Sequence, residues 1–217
     1  ATPSPKEQPK TSPDQAAKPA PQTPAKKPPV ADNQWALLVG VSQYPGQIQS
    51  LTFPREDARA IKELLVSAAG LPEDHIRLLT DSGAGDAKAT KQNILAAVDS
   101  FAAKVQPGHE VIVFLAGHGI ARGLGLQAKS FFLPVDVDAQ SKETLERTAV
   151  DLEDLARRLS ALKASQFSIF IDACREDPFP GRGIKGNTMT DVMTRGLRIT
   201  PGAARAGAAV PPMPIVF

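Results

Sequence analysis

Apolar runs rich in β-branched residues alternate along the chain with segments that have the 3.6-residue period of a helix. Four such runs predict long strands at residues 35–41, 75–80, 111–115 and 167–171, and a shorter run predicts one more at 131–133. Alternation of this kind is typical of a parallel sheet with helices packed on both faces. The pattern therefore predicts an α/β fold.

Three segments between these runs carry apolar residues on one helical face. Thr90 and Asp151 precede the second and third segments, and both residue types suit a helix N-cap. The positions predicted to be buried are Ala58, Ile61, Leu64, Leu65 and Ala68; then Ile94, Ala97, Val98, Phe101 and Val105; then Leu152, Leu155, Leu159 and Leu162. Each helix follows a strand, as the crossovers of a parallel sheet require.

The prolines divide the chain into a domain and two tails. Residues 1–34 hold nine of the 20 prolines and no aromatic residue, which predicts a disordered linker. Residues 35–180 form the predicted domain, and residues 181–217 a flexible basic and Pro-rich stretch that runs into a truncated strand at 214–217. The chain begins at Ala1 without Met, so we expect it to be processed or excerpted, with room for an upstream signal or anchor.

Composition excludes several classes of function and indicates no cellular compartment. The formal charge of +2 and an aromatic content of 5% give no basis for nucleic-acid binding. The single cysteine closes no intramolecular disulfide and supplies no Cys-rich zinc site. No apolar run approaches the ~20 residues of a membrane-spanning helix, so we expect no membrane contact by this fragment.

Reactive side chains follow two of the predicted strands. The strand at 111–115 leads into a segment with His118 between two glycines, and the strand at 167–171 leads into a segment with Cys174. Parallel sheets bind ligands at the carboxyl ends of their strands. A His 56 residues before a single Cys has the spacing of one class of cysteine protease. The alternatives are a small buried Cys174 and solvent-exposed histidines, which is the interpretation we give His75 and His109.

These segments together resemble the caspase-like peptidases, which include metacaspases, paracaspases and bacterial orthocaspases. The resemblance runs from about 35 to 183 and rests on residues 116–119, 172–175, 132–136 and 53–58, in their order and spacing. It implies a three-layer sandwich, with a mainly parallel sheet between two layers of helices. It also implies that the chain covers the large-subunit region, with the small-subunit region following as its partner.

The resemblance implies a cysteine endopeptidase that acts on protein or peptide substrates through an acyl-enzyme. Cys174 would be the nucleophile and His118 the group that handles the proton. The backbone N–H groups of Gly119 and Cys174 would form the oxyanion hole. The other function that this fold allows is a catalytically silent interaction or signalling module.

Two carboxylates suggest which residue precedes the cleaved bond. Asp172 lies two positions before the cysteine, and Asp57 matches the acidic position that metacaspases use at the start of the first helix. Two anionic groups would favour Arg or Lys and repel Asp. Ala116 departs from the family pattern, which usually has Ser there. Asp57 as a helix N-cap and Asp172 as a turn former are the structural alternatives.

Two further properties come from the resemblance. Many metacaspases bind Ca²⁺, and Asp136 and Asp138 are carboxylates of the right kind, but Asp-x-Asp after a strand is common in solvated turns. We therefore assign no metal and no cofactor. The basic loop at 181–198 predicts self-cleavage, the alternative being a plain surface linker. The candidate cleavage positions are Arg182, Lys185, Arg195 and Arg198.

Overall fold

A computed structural model of the chain describes residues 31–122, 129–174 and 215–216. Its strands are β1 (Gln34–Gly40), β2 (Ile76–Thr80), β3 (Glu110–Arg122), β4 (Lys129–Phe132), β5 (Val150–Asp151), β6 (Gln166–Cys174) and β7 (Ile215–Val216). Its helices are α1 (Pro54–Ser67), α2 (Lys91–Phe101), α3 (Lys142–Thr148) and α4 (Leu152–Ser160). The five strands and three helices that the pattern predicts are all present among them.

The strands form one mixed, mainly parallel sheet. Strands β2, β1, β3, β6 and β7 lie side by side in that order, and every neighbouring pair among them is parallel. Beyond the end of β1, the last residues of β3 pair antiparallel with β4, which pairs antiparallel with β5. The carboxyl ends of β1, β3 and β6 consequently open at the same edge of the sheet.

Helices cover both faces of the sheet, so the predicted α/β sandwich is confirmed. On one face α1 buries Ala58 against a cluster formed by Ala36, Leu38, Leu71, Ile76, Phe114 and Ala116. On the other face α2 and α4 pack through Ile94, Val98, Leu155 and Leu159. β1 and β3 are largely buried on both sides, which explains why they read as continuous apolar runs, whereas β6 buries one face and leaves Phe170 37% exposed on the other.

Both strands that carry the predicted chemistry are longer than their apolar runs. β3 continues to Arg122 and β6 to Cys174, so His118 and Cys174 lie within the strands and not in segments that follow them. The reason is tertiary, because β3 finds a second partner in β4 just where β1 ends. The residues after the apolar run of β3 are therefore held in sheet geometry.

The helices are short, and the pattern misses one of them. α3 is capped by Ser141, whose side chain accepts the Thr144 N–H, and its sequence has too few apolar positions to show a helical period. Thr90 and Asp151 cap α2 and α4 as predicted. Within residues 31–122 and 129–174, no helix is long and apolar enough to cross a bilayer, including α1, the longest at 14 residues.

Four positions predicted to lie on buried helix faces differ in the structure: Ala68, like Leu64, is exposed, and Leu162 is buried but lies after α4 has ended at Ser160. Leu64 in α1 is 61% exposed, because the helix turns that side away from the sheet. Val105 is buried, but it lies after α2 has ended at Phe101. The prediction that Leu64 and Ala68 are buried is therefore wrong, whereas Val105 and Leu162 are buried outside the helices to which they were assigned.

The prediction that His75 and His109 are solvated is wrong. His75 stacks on the Trp35 ring with centroids 3.8 Å apart. The indole N–H of Trp35 donates to Nδ1 of His109 over 3.0 Å. Both histidines are half-buried and enclose the only tryptophan near the start of β1, remote from the carboxyl edge of the sheet.

Gly40 allows α1 to begin directly against the end of β1. A Cβ at this position would lie 2.3 Å from the Pro54 carbonyl oxygen and 2.8 Å from Cα of Arg55. Because these are backbone atoms, Gly40→Ala is expected to lower the free energy of unfolding by about 1–3 kcal/mol through overpacking. Urea denaturation followed by circular dichroism measures this.

Gly85→Ala is the matched control for that measurement. An added methyl group there meets open space, and the cost comes only from its φ of +56°. The stability lost in Gly85→Ala should therefore leave α1 in place. Hydrogen exchange of the α1 amides reports whether that helix has moved in either variant. An unchanged unfolding midpoint for Gly40→Ala would contradict direct contact between α1 and β1.

Candidate active site

The strands that carry His118 and Cys174 are neighbours. β3 and β6 pair in parallel, and their register places Ala116 beside Asp172 and His118 beside Cys174. Neighbouring strands lie about 4.8 Å apart. The backbones of the two residues are thus adjacent at the carboxyl edge of the sheet, which chain order alone does not establish. The Cys174 side chain lies outside the described part of the structure.

The His118 imidazole is buried and held in one tautomer. The residue is 4% exposed, and its Nε2 lies 2.7 Å from the carbonyl oxygen of Gln49. A carbonyl oxygen only accepts, so Nε2 carries the hydrogen and Nδ1 of the neutral ring holds a free lone pair. Within the described part of the chain, this buried Nδ1 has no hydrogen-bond partner. It is available to accept a proton.

The carbonyl of Gln49 comes from a loop, residues 41–53, that is tied down at both ends. At its start, the Ser42 N–H donates to Asp81 over 3.2 Å, and at its end the Ser42 hydroxyl accepts the Arg55 N–H over 3.1 Å. Arg55 also donates to Asp81 over 2.9 Å, and its pKa is raised first by the hydrogen bond to Glu56 and then by Asp81. The loop is therefore a fixed part of the site.

Sequence reasoning missed the residues of this loop that contact His118. Gln49 acts through its backbone, and a backbone carbonyl has no residue-type pattern. Tyr44, whose hydroxyl accepts the His118 backbone N–H over 2.8 Å, sits 74 residues away in sequence. Its position after an apolar strand resembles any half-buried tyrosine. No periodicity marks either residue.

The N–H of Gly119 faces the same side as β6. Along an extended strand, successive N–H and C=O groups point alternately toward the two neighbours. The carbonyl of His118 accepts the Leu133 N–H over 2.9 Å, on the β4 side. Gly119, one residue on, accordingly directs its N–H away from β4 and toward the strand that ends in Cys174.

The two carboxylates lie on one side of the sheet, and their structural alternatives are excluded. Asp172 is exposed and shares its register position with Ala116, which packs on the α1 face. Asp57 is half-buried in the first turn of α1. Phe53, not Asp57, occupies the N-cap, and Asp172 lies within β6, not in a turn. Neither carboxylate forms an ion pair among the described residues.

The carboxylates considered for Ca²⁺ serve local structure. Asp136 accepts the Lys91 N–H over 2.9 Å at the start of α2, and Asp138 accepts the Gln140 N–H over 3.0 Å. Within 31–122 and 129–174, no three His, Cys, Asp or Glu side chains cluster closely enough to share a metal ion. These contacts match the turn interpretation of Asp136 and Asp138.

Burial lowers the pKa of His118 below its ordinary value, and the hydrogen bond to Gln49 opposes that shift only in part. A histidine with a depressed pKa stays neutral to lower pH than a free imidazole. For the peptidase activity that the sequence resemblance implies, we therefore expect the acid limb of the pH dependence of kcat/KM to lie below about 6.5, the ordinary value. Hydrolysis of a fluorogenic peptide measured across the acid range tests this, and an acid limb above that value would contradict it.

The same shift has a consequence for stability. The unfolded chain binds a proton at His118 more readily than the folded chain does. The contribution of the neutral imidazole to the free energy of unfolding is therefore fully present above about pH 6.5. It declines as pH falls from there toward the folded pKa. The buried imidazole thus remains neutral in the folded protein to a lower pH than a free imidazole does.

A family model decides the relationship of this chain to known proteins. The model described as the caspase domain, peptidase C14, matches residues 33–209, well over half of the chain. The chain belongs to the caspase domain family. This is a family of cysteine peptidases, so the resemblance drawn from the sequence motifs is confirmed, as is the caspase-like sandwich.

Individual relatives agree with the caspase domain assignment. The chain is 27% identical over 158 residues to a probable protease of a Desulfuromonadales bacterium, covering 68% of this chain and 19% of that protein. It is 31% identical over 146 residues to metacaspase-9 of Arabidopsis thaliana, covering 64% of this chain and 42% of the relative. The chain thus spans less than half the length of both proteins.

A solved structure shares the fold of this caspase domain. The crystal structure of a Geobacter sulfurreducens protein superposes with a TM-score of 0.50 at 15% identity, covering 65% of this chain and 50% of that one. At that identity the likeness concerns the fold alone. The predicted self-cleavage positions, Arg182, Lys185, Arg195 and Arg198, and residues 1–30 of the predicted linker lie outside the described residues.

Proposed function

We propose that this caspase domain is a cysteine endopeptidase that cleaves after Arg or Lys through Cys174 and His118. One observation carries the proposal: Cys174 lies beside His118 in register, and the buried Nδ1 of His118 is unprotonated and without a partner among the described residues. A basic nitrogen next to the only cysteine is what a thiol nucleophile requires.

The proposed reaction runs through an acyl-enzyme. Nδ1 of His118 takes the thiol proton, and the Cys174 sulfur attacks the peptide carbonyl to form a tetrahedral oxyanion. When this collapses, the carbon–nitrogen bond breaks and the imidazolium gives its proton to the leaving amine. Water, deprotonated by the same nitrogen, then attacks the thioester, releasing the carboxylic acid product and returning the proton to the thiol.

Two backbone N–H groups are proposed to stabilise the oxyanion. The Gly119 N–H is directed toward the β6 side, and the Cys174 N–H belongs to the residue that carries the nucleophile. Removing one such donor typically costs about 10²–10³ in rate. Both donors lie on strands held by the sheet, so their orientation exists before substrate arrives.

The proposed specificity follows from charge. Asp57 and Asp172 lie on one side of the sheet at the edge where His118 and Cys174 meet, and neither is neutralised by a cation among the described residues. A guanidinium or ammonium group entering between them would gain two charge-assisted contacts. Ala116 provides no hydroxyl there, so the two carboxylates carry the specificity alone.

The proposed partner within the full-length protein is the small-subunit region. Ile215 and Val216 pair in parallel with Ile169 and Phe170 of β6, which extends the sheet by one strand. Self-cleavage is proposed in the basic segment 181–198, which lies between these two strands in the sequence and outside the described residues. Incubating wild type beside Cys174→Ala tests it, since equal fragmentation in both, or in neither, would count against autoprocessing.

Fluorogenic peptides that differ only in the residue before the scissile bond test the function directly. The full-length protein is expected to hydrolyse Arg and Lys peptides, and Cys174→Ala to hydrolyse none. Faster turnover of an Asp peptide would overturn the specificity. No turnover of any peptide would favour a silent interaction module.

A further inference from the structure

The polypeptide around His118 contains a gap between two partners of the same strand. β1 pairs with β3 up to Ala116, whose carbonyl accepts the Val41 N–H over 3.0 Å. β4 takes over at Gly119. His118 falls between them, and the regular partner for its N–H would be the carbonyl of Leu133.

A side chain fills this gap. The Tyr44 hydroxyl lies 2.8 Å from the His118 nitrogen and accepts its N–H. The tyrosine ring also packs on the imidazole, with centroids 4.9 Å apart and planes tilted by 49°. One side chain therefore contacts both the backbone and the ring of the proposed base.

Gly117 makes that approach possible. A Cβ at this position would lie 2.5 Å from the Tyr44 hydroxyl and 3.2 Å from the Phe132 ring. The residue before His118 must consequently lack a side chain for the tyrosine to reach the His118 N–H. The hydrogen bond from the His118 N–H to Tyr44 therefore depends on glycine at position 117.

The same loop holds His118 at a second point. Tyr44 fixes the backbone, and the Gln49 carbonyl, five residues on, fixes Nε2 of the ring over 2.7 Å. Because both the backbone and the ring are held, the orientation of the imidazole, and with it of Nδ1, is fixed. A base must lie within hydrogen-bond reach of its proton, and small misplacements cost large factors in rate.

We propose that Tyr44 is a positioning residue for His118, acting through its hydroxyl to fix the imidazole for proton transfer with Cys174. This rests on the proposed function, because it concerns the same histidine. Tyr44→Phe keeps the ring contact and leaves the buried His118 N–H without its acceptor. We expect kcat for an Arg peptide to fall by about 10-fold with KM nearly unchanged, since binding does not involve this bond.

A second readout does not depend on catalysis. In the full-length protein labelled with ¹⁵N-histidine, wild-type His118 is expected to show the single Nε2–H tautomer. Tyr44→Phe should show exchange-broadened or mixed-tautomer signals for this one of the three histidines. Gln43→Ala is the matched control in the same loop, because its exposed side chain bonds only Ser50 among the described residues.

Tyr44 is the only tyrosine in the chain, which provides a test without mutation. Global incorporation of 3-fluorotyrosine weakens this one hydroxyl as an acceptor and leaves its ring in place, so kcat should fall by roughly twofold. This covers the case in which Tyr44→Phe fails to fold. Unchanged kcat and unchanged His118 signals, in either the variant or the fluorinated protein, would overturn the proposal.

Failure of the proposed function and failure of the positioning role of Tyr44 would give different results. If wild type hydrolyses no peptide, the proposed function fails, and the ¹⁵N signals still decide whether Tyr44 positions His118. If wild type is active and Tyr44→Phe raises KM with kcat unaltered, Tyr44 contributes to substrate binding and the positioning role is wrong.

Discussion

Replacing His118 with alanine is expected to lower kcat for an Arg peptide by about 10²–10⁴-fold, the usual contribution of a general base. A cysteine thiol with an ordinary pKa near 8.5 is mostly protonated at neutral pH. Without Nδ1 beside it, only the small thiolate fraction can attack. Steady-state hydrolysis by the full-length protein at neutral pH measures the effect, with Cys174→Ala as the inactive reference.

His109→Ala is the control for this experiment. That histidine contacts Trp35 over 3.0 Å near the start of β1, far from the carboxyl edge of the sheet. It should lose some stability and retain turnover. A His118→Ala protein that keeps more than about a tenth of wild-type kcat would be incompatible with the proposed base.

Neutralising the two carboxylates is expected to give the second large effect. Asp57→Asn and Asp172→Asn keep the shape of each side chain and remove its charge. Each should lower kcat/KM for Arg and Lys peptides by about 10- to 100-fold, the value of a charge-assisted hydrogen bond. The loss should appear mainly in KM if substrate and transition state use the contact equally. Peptides with neutral residues at that position should be affected much less.

Glu63→Gln provides the matched control for charge. Glu63 is an exposed carboxylate in the same helix as Asp57, so this variant changes the net charge equally without touching the proposed pocket. If it weakens Arg hydrolysis as much as Asp57→Asn does, the effect is general electrostatics. Equal losses for charged and neutral peptides would likewise contradict the assignment.

The fold was predictable where burial determines the residues. β1 and β3 lie inside the sheet and are largely buried on both faces, so the runs 35–41 and 111–115 are apolar and recognisable without any structure. Caps at Thr90 and Asp151 were recognisable because their hydroxyl and carboxylate serve free helix N–H groups. Both features depend on residues close together in the chain, so the sequence of each segment is enough to predict them.

What the sequence did not show depends on contacts between distant residues. β3 continues through Gly117 and Gly119 because it pairs with β4 there. The residues of this part of β3 have no apolar pattern that predicts the pairing. The partners of His118 were equally hidden, because one is a backbone carbonyl and the other is a tyrosine 74 residues away. His75 and His109 were misassigned because their partner, Trp35, also comes from another strand.

The proposed pairing of the Cys174 thiol with the His118 imidazole can be tested directly, since the chain has a single cysteine. The measurement is the rate of alkylation of the full-length protein by iodoacetamide as a function of pH, in wild type and in His118→Ala. Wild type is predicted to react at least about 10-fold faster at neutral pH, with the variant following an isolated thiol of pKa near 8.5. Superimposable profiles would contradict the pairing on which the peptidase proposal rests.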